Sequence, residues 1–497
     1  MTSNNEARSR RAGGSVLELY TSTHITDEDT ATTTVSDDVE AGDIIQKGIA
    51  RAGAIATFVS IIKNAVGAGL VVMPLLGHNA SAAVTFALVG FTFFMASASH
   101  AMLGAASSYT RRFSYGELTR LAFGDKAAVV VVLCVMGLLA VAAPGCFMVL
   151  SSTTADLLRL RWPSLEDTVL IPLDTDPDTG ETSYGRLWML HLIWALLLLP
   201  LFLQRTINAL RHGSAIGVTA ISVMVLATVY LGIAKAVPEH EFDGGKGRNW
   251  ADFDPVATMS LVALVSIAYM SHFNAPQMCG EMKVELSEVE ETQVNKEAKK
   301  RTRRFAKLSV IAFVVIALLN AMFFFFSYRM LGEAPKSSVL SNTEFGGAPG
   351  TIARFAIICA MAAEIPLLFI GFRSLSLAFM SALLEVMKKD TALSNCSNLS
   401  LVPSKWFYGA STACLLWVIA IASLCKSVNT PFEIAGALPG NIMTYILPPL
   451  IMYRVVPQHV LTRPVKLGLL TVALFGCLCV IGSSFSVVYS WVHGSEE

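Results

Sequence analysis

Long apolar runs, each about the length that crosses a bilayer, alternate with short polar connections along most of this chain. The pattern predicts eleven spans, at 54–76, 82–108, 127–157, 187–204, 213–234, 256–275, 305–330, 350–385, 405–425, 431–453 and 465–490. The expected fold is therefore an all-α polytopic membrane protein. Residues 1–53 lack the pattern: they are polar, rich in Ser, Thr and Asp, and without an apolar signal-peptide core, so a disordered cytosolic tail is expected. Residues 54–490 form the transmembrane domain, and 491–497 a short extracytosolic tail.

Charge sharpens the topology. Only 15% of residues are charged against 54% hydrophobic, well below the ~25% charged of soluble domains. Lysines and arginines collect in alternate connections: Arg111, Arg112, Arg120 and Lys126 in one, and Lys299, Lys300, Arg301, Arg303, Arg304 and Lys307 in another. The remaining connections carry acids such as Asp174, Asp176, Asp178 and Glu181. The positive-inside rule then sets the N-terminus in the cytosol and Glu497 outside. Of the Asn-x-Ser sequons, Asn79 falls on the exterior side, close to the membrane, and Asn395 and Asn398 in a cytosolic connection. The nine cysteines follow no metal-site spacing, lie mostly within spans, and give no reason to expect a disulfide. Zero net formal charge offers no argument for nucleic acid. There is no phosphate loop, zinc motif or nucleophile–base pair, so no enzyme, metal or cofactor is expected.

Four spans carry residues that a plain lipid-facing helix would not hold. The first contains Lys63-Asn64-Ala65-Val66-Gly67-Ala68-Gly69. A lysine near mid-bilayer costs at least ~2.5 kcal/mol, and the two glycines weaken the helix. A break there makes sense if the freed backbone lines a cavity: amides at Gly67, Ala68 and Gly69 suit a carboxylate, and carbonyls from Lys63 to Val66 suit an ammonium or a cation. A Gly-rich packing face is the alternative. The sixth span reads Ala268-Tyr269-Met270-Ser271-His272-Phe273-Asn274-Ala275-Pro276. Pro276 biases Ala275 away from helix, which predicts a second break with Ala268, Tyr269, Met270 and Ser271 at the substrate. His272 either joins ion coupling or caps the span at the cytosolic interface. In the eighth span, Glu364 lies ten residues from Arg354, about 15 Å along a helix and near the midplane. A carboxyl at that depth can carry a proton, and Lys63 is its natural partner. The tenth span adds Glu433 and Gly436-Ala437-Leu438-Pro439-Gly440-Asn441, a kinked gate or a packing face.

Together these segments resemble the amino acid/auxin permease family, which includes the sodium-coupled neutral amino acid transporters. The resemblance rests on Asn64, Gly67 and Gly69; on Ser114-Tyr115-Gly116-Glu117-Leu118 with Ala122-Phe123-Gly124; on Ser271-His272; on Arg354, Pro366 and Arg373-Ser374; and on Gly436-Ala437 with Pro448. It covers roughly residues 54–490 and implies a five-plus-five inverted-repeat core, leucine-transporter-like, with helices 1 and 6 broken and an eleventh helix added. It further implies alternating access and amino acid substrates, expected to be neutral, or cationic if Glu364 faces them. No lysosomal or mitochondrial address is clear, so the plasma membrane is the default location, with a lysosomal or vacuolar membrane as the alternative. The family's sodium site lies between spans 1 and 8, where sodium-coupled members carry Thr before the proline. Ala362 and Glu364 stand here instead, so Lys63 and Glu364 are expected to replace the sodium site and make the coupling ion H+ rather than Na+. An amino acid sensor with little flux, signalling through a partner at the cytosolic tail or the basic loop 283–307, is the alternative from another class. A channel is disfavoured, because no span carries a repeated filter motif.

Overall fold

The computed structural model describes residues 53–67, 69–165, 168–171, 187–205, 213–238, 240–242, 247–282, 291–336, 338–386, 402–425 and 427–493. The expected tail 1–53 lies outside these apart from Gly53, as do Ala68, Asn395, Asn398 and residues 494–497.

Helices follow the apolar runs. They are α1 (Ala54–Ala65), α2 (Gly69–Ala80), α3 (Ala82–Thr110), α4 (Tyr115–Phe123), α5 (Asp125–Arg161), α6 (Trp188–Phe202) and α7 (Gly213–Ala234). After these come α8 (Pro255–Ala268), α9 (Ala275–Glu281), α10 (Glu291–Met330), α11 (Gly347–Val386) and α12 (Ser404–Leu424). The last three are α13 (Asn429–Ala435), α14 (Leu447–Val455) and α15 (Arg463–His493). Among the described residues, nine helical stretches are long and apolar enough to cross a bilayer, and a tenth if α1 and α2 form one span bent by 51°. Helix α6 is apolar but shorter.

Two boundaries differ from expectation. The basic segment 283–307 is not a loop where it is described: from Glu291 it is the first part of α10, continuous with the seventh span. Periodicity in apolar residues is blind to a helix that leaves the membrane, because its outward face turns polar. The sixth span does not end near Pro276 either. Pro276 opens α9, and Ala275 before it is helical, at φ −57° and ψ −43°. In the first turn of a helix the missing amide of proline is no loss, so the residue that closes one helix can equally start another.

The interior is one continuous apolar core to which nearly every span contributes. Helix α3 packs along α10, α11 packs along both α5 and α7, and α8 lies against α2, α13 and α15. One set of helix ends is tied by polar groups. Tyr328 of α10 donates its hydroxyl to the Asn249 carbonyl (3.0 Å) and meets His78 Nδ1 of α2 (2.9 Å), while the Asn249 amide donates to the His78 carbonyl (2.9 Å). On the opposite side, the short helix α4 is buried along Tyr115, whose hydroxyl donates to the Met443 carbonyl at 2.9 Å.

The tenth span departs from α-helix between α13 and α14, through π-helical turns at Gly436–Gly440 and Ile442–Ile446. The carbonyl of Ala437 accepts from Asn441 Nδ2 and from Ser483 Oγ of α15, both at 3.1 Å. Ser486 of α15 bonds to Ser260 of α8. Gly436 sits so close to α8 that a Cβ there would run into the Ala263 carbonyl. Gly436→Ala forces two backbones apart and should cost about 1–3 kcal/mol. An unchanged thermal unfolding midpoint of the purified variant would show that the contact is not tight.

Candidate functional site

The break in the first span forms as the sequence predicts. The last backbone bond of α1 runs from the Val66 amide to the Ile62 carbonyl. Val66 is extended at φ −89° and ψ 110°, and the next bond, Leu70 amide to Gly67 carbonyl, begins α2. The second break follows Ala268. Single turns link Tyr269 to Ser266 and Met270 to Ile267, then a 3-10 turn at His272–Asn274 leads into α9.

A hydrogen bond joins the two breaks. Asn274 Nδ2 donates to Asn64 Oδ1 at 2.8 Å, and Asn64 Nδ2 turns back to the Ser60 carbonyl at 2.8 Å. Both polar atoms of the Asn64 side chain are thereby used within the protein. The sequence alone assigns Asn274 no partner. A second lone asparagine in an apolar span is itself the signal of a partner, although nothing in spacing names which one.

Beside the first break lies a buried ion pair. Lys63 Nζ donates to Glu364 Oε2 at 2.8 Å, with the lysine side chain 4% exposed and the carboxyl side chain 13%. Glu364 is the only acceptor for that ammonium among the described residues. The stem of Lys63 crosses α7 at Gly217, where a Cβ would fall 2.8 Å from Cε. The small residue at 217 is thus what lets the lysine reach α11. The carboxylate itself touches the break, since a Cβ on Gly67 would lie 3.4 Å from Glu364 Oε1. Lys63, Gly67 and Glu364 therefore meet at one point, where α1, α7 and α11 converge.

The residues of the second break are buried, but they divide. The Tyr269 hydroxyl donates to the Val89 carbonyl of α3 at 3.0 Å, and its ring stacks on Phe313 of α10. Met270 packs with Leu138, Ala142 and Ala435. Ala268 belongs to the core, and Ser271 is fully buried with no hydrogen-bond partner for its hydroxyl. The Tyr269 side chain is committed to α3 and α10, so at that position only backbone is left for a ligand held between the breaks.

His272 does not join the ion pair. Its hydrogen bonds and ring contacts go to α3 and α10: Nε2 to Ser99 Oγ (2.7 Å) and the Ala96 carbonyl (3.1 Å), and the ring against His100 and Phe313. Nor does it cap a span at the interface, being fully buried. Its Nε2 must carry the hydrogen that the Ala96 carbonyl accepts. His100, which sequence reading missed, bonds Ser309 of α10 through Nδ1 at 2.9 Å.

Comparison with known proteins places this geometry. The family described as transmembrane amino acid transporter protein matches residues 50–489. A yeast protein, vacuolar amino acid transporter 2 of Saccharomyces cerevisiae, is 22% identical over 301 residues, covering 60% of this chain. The match spans 56% of that relative's own length. Among solved structures, Mhp1, a nucleobase-cation-symport-1 family transporter in a closed conformation with bromovinylhydantoin bound, superposes with a TM-score of 0.50. It is 13% identical, and the match covers 90% of this chain and 94% of that one, a likeness of fold.

An ion pair this deep is costly to break from one side, because the surviving charge loses its only partner. Lys63→Met should destabilise by up to about 3–5 kcal/mol, and the double variant Lys63→Met/Glu364→Leu should regain most of that. Thermal unfolding of the three purified proteins tests this: additive losses in the double variant would mean that the two groups are not coupled.

Proposed function

Because the chain belongs to the family of transmembrane amino acid transporter proteins, we propose that this integral membrane transporter is a proton-coupled permease moving neutral or cationic amino acids by alternating access. Family membership makes it a transporter and not an enzyme. The proposed core is a five-plus-five inverted repeat with helices 1 and 6 broken and an eleventh helix added, and α6 counts as the fourth span.

The observation that carries the coupling is the Lys63–Glu364 pair at 2.8 Å beside Gly67. In the proposal, amides at Gly67, Ala68 and Gly69 hold the substrate carboxylate. Carbonyls from Asn64 to Val66 and from Ala268 to Ser271 hold its ammonium. The Lys63 ammonium takes the place a metal cation would need, between spans 1 and 8, so Na+ finds the position filled and neutralised. Protonation of Glu364 removes the countercharge of Lys63 and frees it from α11. That loosens the junction of α1, α7 and α11 in step with proton entry. The Glu364 side chain is 13% exposed against 4% for Lys63, which supports Glu364 as the member of the pair that water reaches first.

The expected location is the plasma membrane. The alternative is a vacuolar or lysosomal membrane, which the name of the yeast relative favours.

Uptake of a labelled amino acid panel into proteoliposomes tests the reading, with an imposed proton gradient and with sodium in turn. Proton-driven uptake is expected in the wild type and should fall to background in Glu364→Gln, whose amide cannot exchange a proton. Stimulation by sodium, or unchanged pH dependence in the variant, would remove Lys63 and Glu364 from coupling. Binding without flux by folded protein would instead indicate a sensor.

A further inference from the structure

Helix α10 extends beyond its apolar part at the cytosolic end, and that extension has one strongly charged face. Lys296, Lys299, Lys300, Arg303, Arg304 and Lys307 are all exposed. At 100° per residue they fall within an arc of about 140°. Among the described residues none of the six is held by an ion pair. The opposite face is buried protein: Ala298 and Phe305 are covered, and Phe305 stacks on His100 of α3 at 5.1 Å between ring centroids. Glu297, partly buried, lies just off the edge of the arc.

What the charged face looks at can be read further along the same helix. The arc continues without rotation into Val310, Ile311, Val314 and Leu318, which are 43%, 44%, 39% and 55% exposed. These branched apolar side chains, open on the outside of a membrane-spanning helix, face lipid tails. The cations directly above them on the same line therefore stand over lipid, not over protein. Lys300 to Lys307 covers about 10 Å of helix rise. That is a few ångströms more than the headgroup layer, about 5–7 Å thick on each side, a difference that long side chains span by snorkelling.

We propose that this face of α10 binds anionic phospholipid headgroups of the cytosolic leaflet, with Lys300, Arg303, Arg304 and Lys307 as the phosphate-contacting residues. A row of exposed cations with no acid among them, fixed on a rigid helix, is complementary to phosphate oxygens. The lipid tails below complete the site with apolar contact that a free phosphate lacks. The inference is independent of the coupling mechanism.

The test uses purified full-length protein in neutral detergent micelles. It is titrated with fluorescent short-chain phosphatidylinositol bisphosphate, with short-chain phosphatidylcholine, and with inositol trisphosphate as the tail-free headgroup. The wild type should bind the anionic lipid at least about tenfold more tightly than the zwitterionic one and lose most of that preference in high salt, as screening requires. Lys300→Gln/Arg303→Gln/Arg304→Gln/Lys307→Gln should abolish the preference, while Lys300→Arg/Lys307→Arg should keep it. No preference in the wild type overturns the proposal whether or not the glutamine variant folds, and leaves the face to an acidic protein segment. Equal affinity for the tail-free headgroup overturns the bilayer as the source of the ligand.

Discussion

Everything distinctive in this molecule depends on one constraint: a peptide group in a bilayer cannot stay unbonded, so a helix is interrupted only where protein or enclosed water takes over. Two of its spans are interrupted, and the interruptions are held side by side. Asn64 and Asn274 bridge the interruptions to each other. The bridge links the two broken spans, because a change of the local turn at either asparagine would break it. The buried charges of Lys63 and Glu364 are tolerable in the same place for the same reason: each supplies what the other would otherwise take from water.

Much of this was legible in the sequence. Runs of apolar residues located most of the helices to within a few positions, the start of α10 excepted, and the conflict between Lys63-Asn64, Gly67-Ala68-Gly69 and a lipid setting located the first break. Glu364 could be paired with Lys63 from depth alone. Depth along a helix is a one-dimensional quantity that residue counting measures, and intramembrane charges have few places to go.

What stayed hidden involves direction around a helix or partners far apart in the chain. Pro276 looks the same whether it closes one helix or opens the next, and only the position of the following turn decides. His272 was read from its own span, but its partners Ser99 and Ala96 lie on α3, some 170 residues away in sequence. Gly217 carried no local signal, since its role is to be absent beneath the stem of a lysine from another helix. The basic first part of α10 escaped because its polarity made it resemble a loop.

The tenth span has a further consequence. A regular α-helix resists a change of pitch because every carbonyl is claimed by its own ladder. Between Gly436 and Ile446 the ladder is already irregular, and at Ala437 a claim is held from outside by Ser483 of the last helix. A hydroxyl can follow a moving carbonyl by rotating about a single bond, which a backbone amide cannot. The last helix is thus built like a compliant bearing: its hydroxyl, shared between the Ala437 carbonyl and the Cys479 carbonyl of its own helix, would keep a polar atom satisfied in an apolar medium if the span beside it altered its winding.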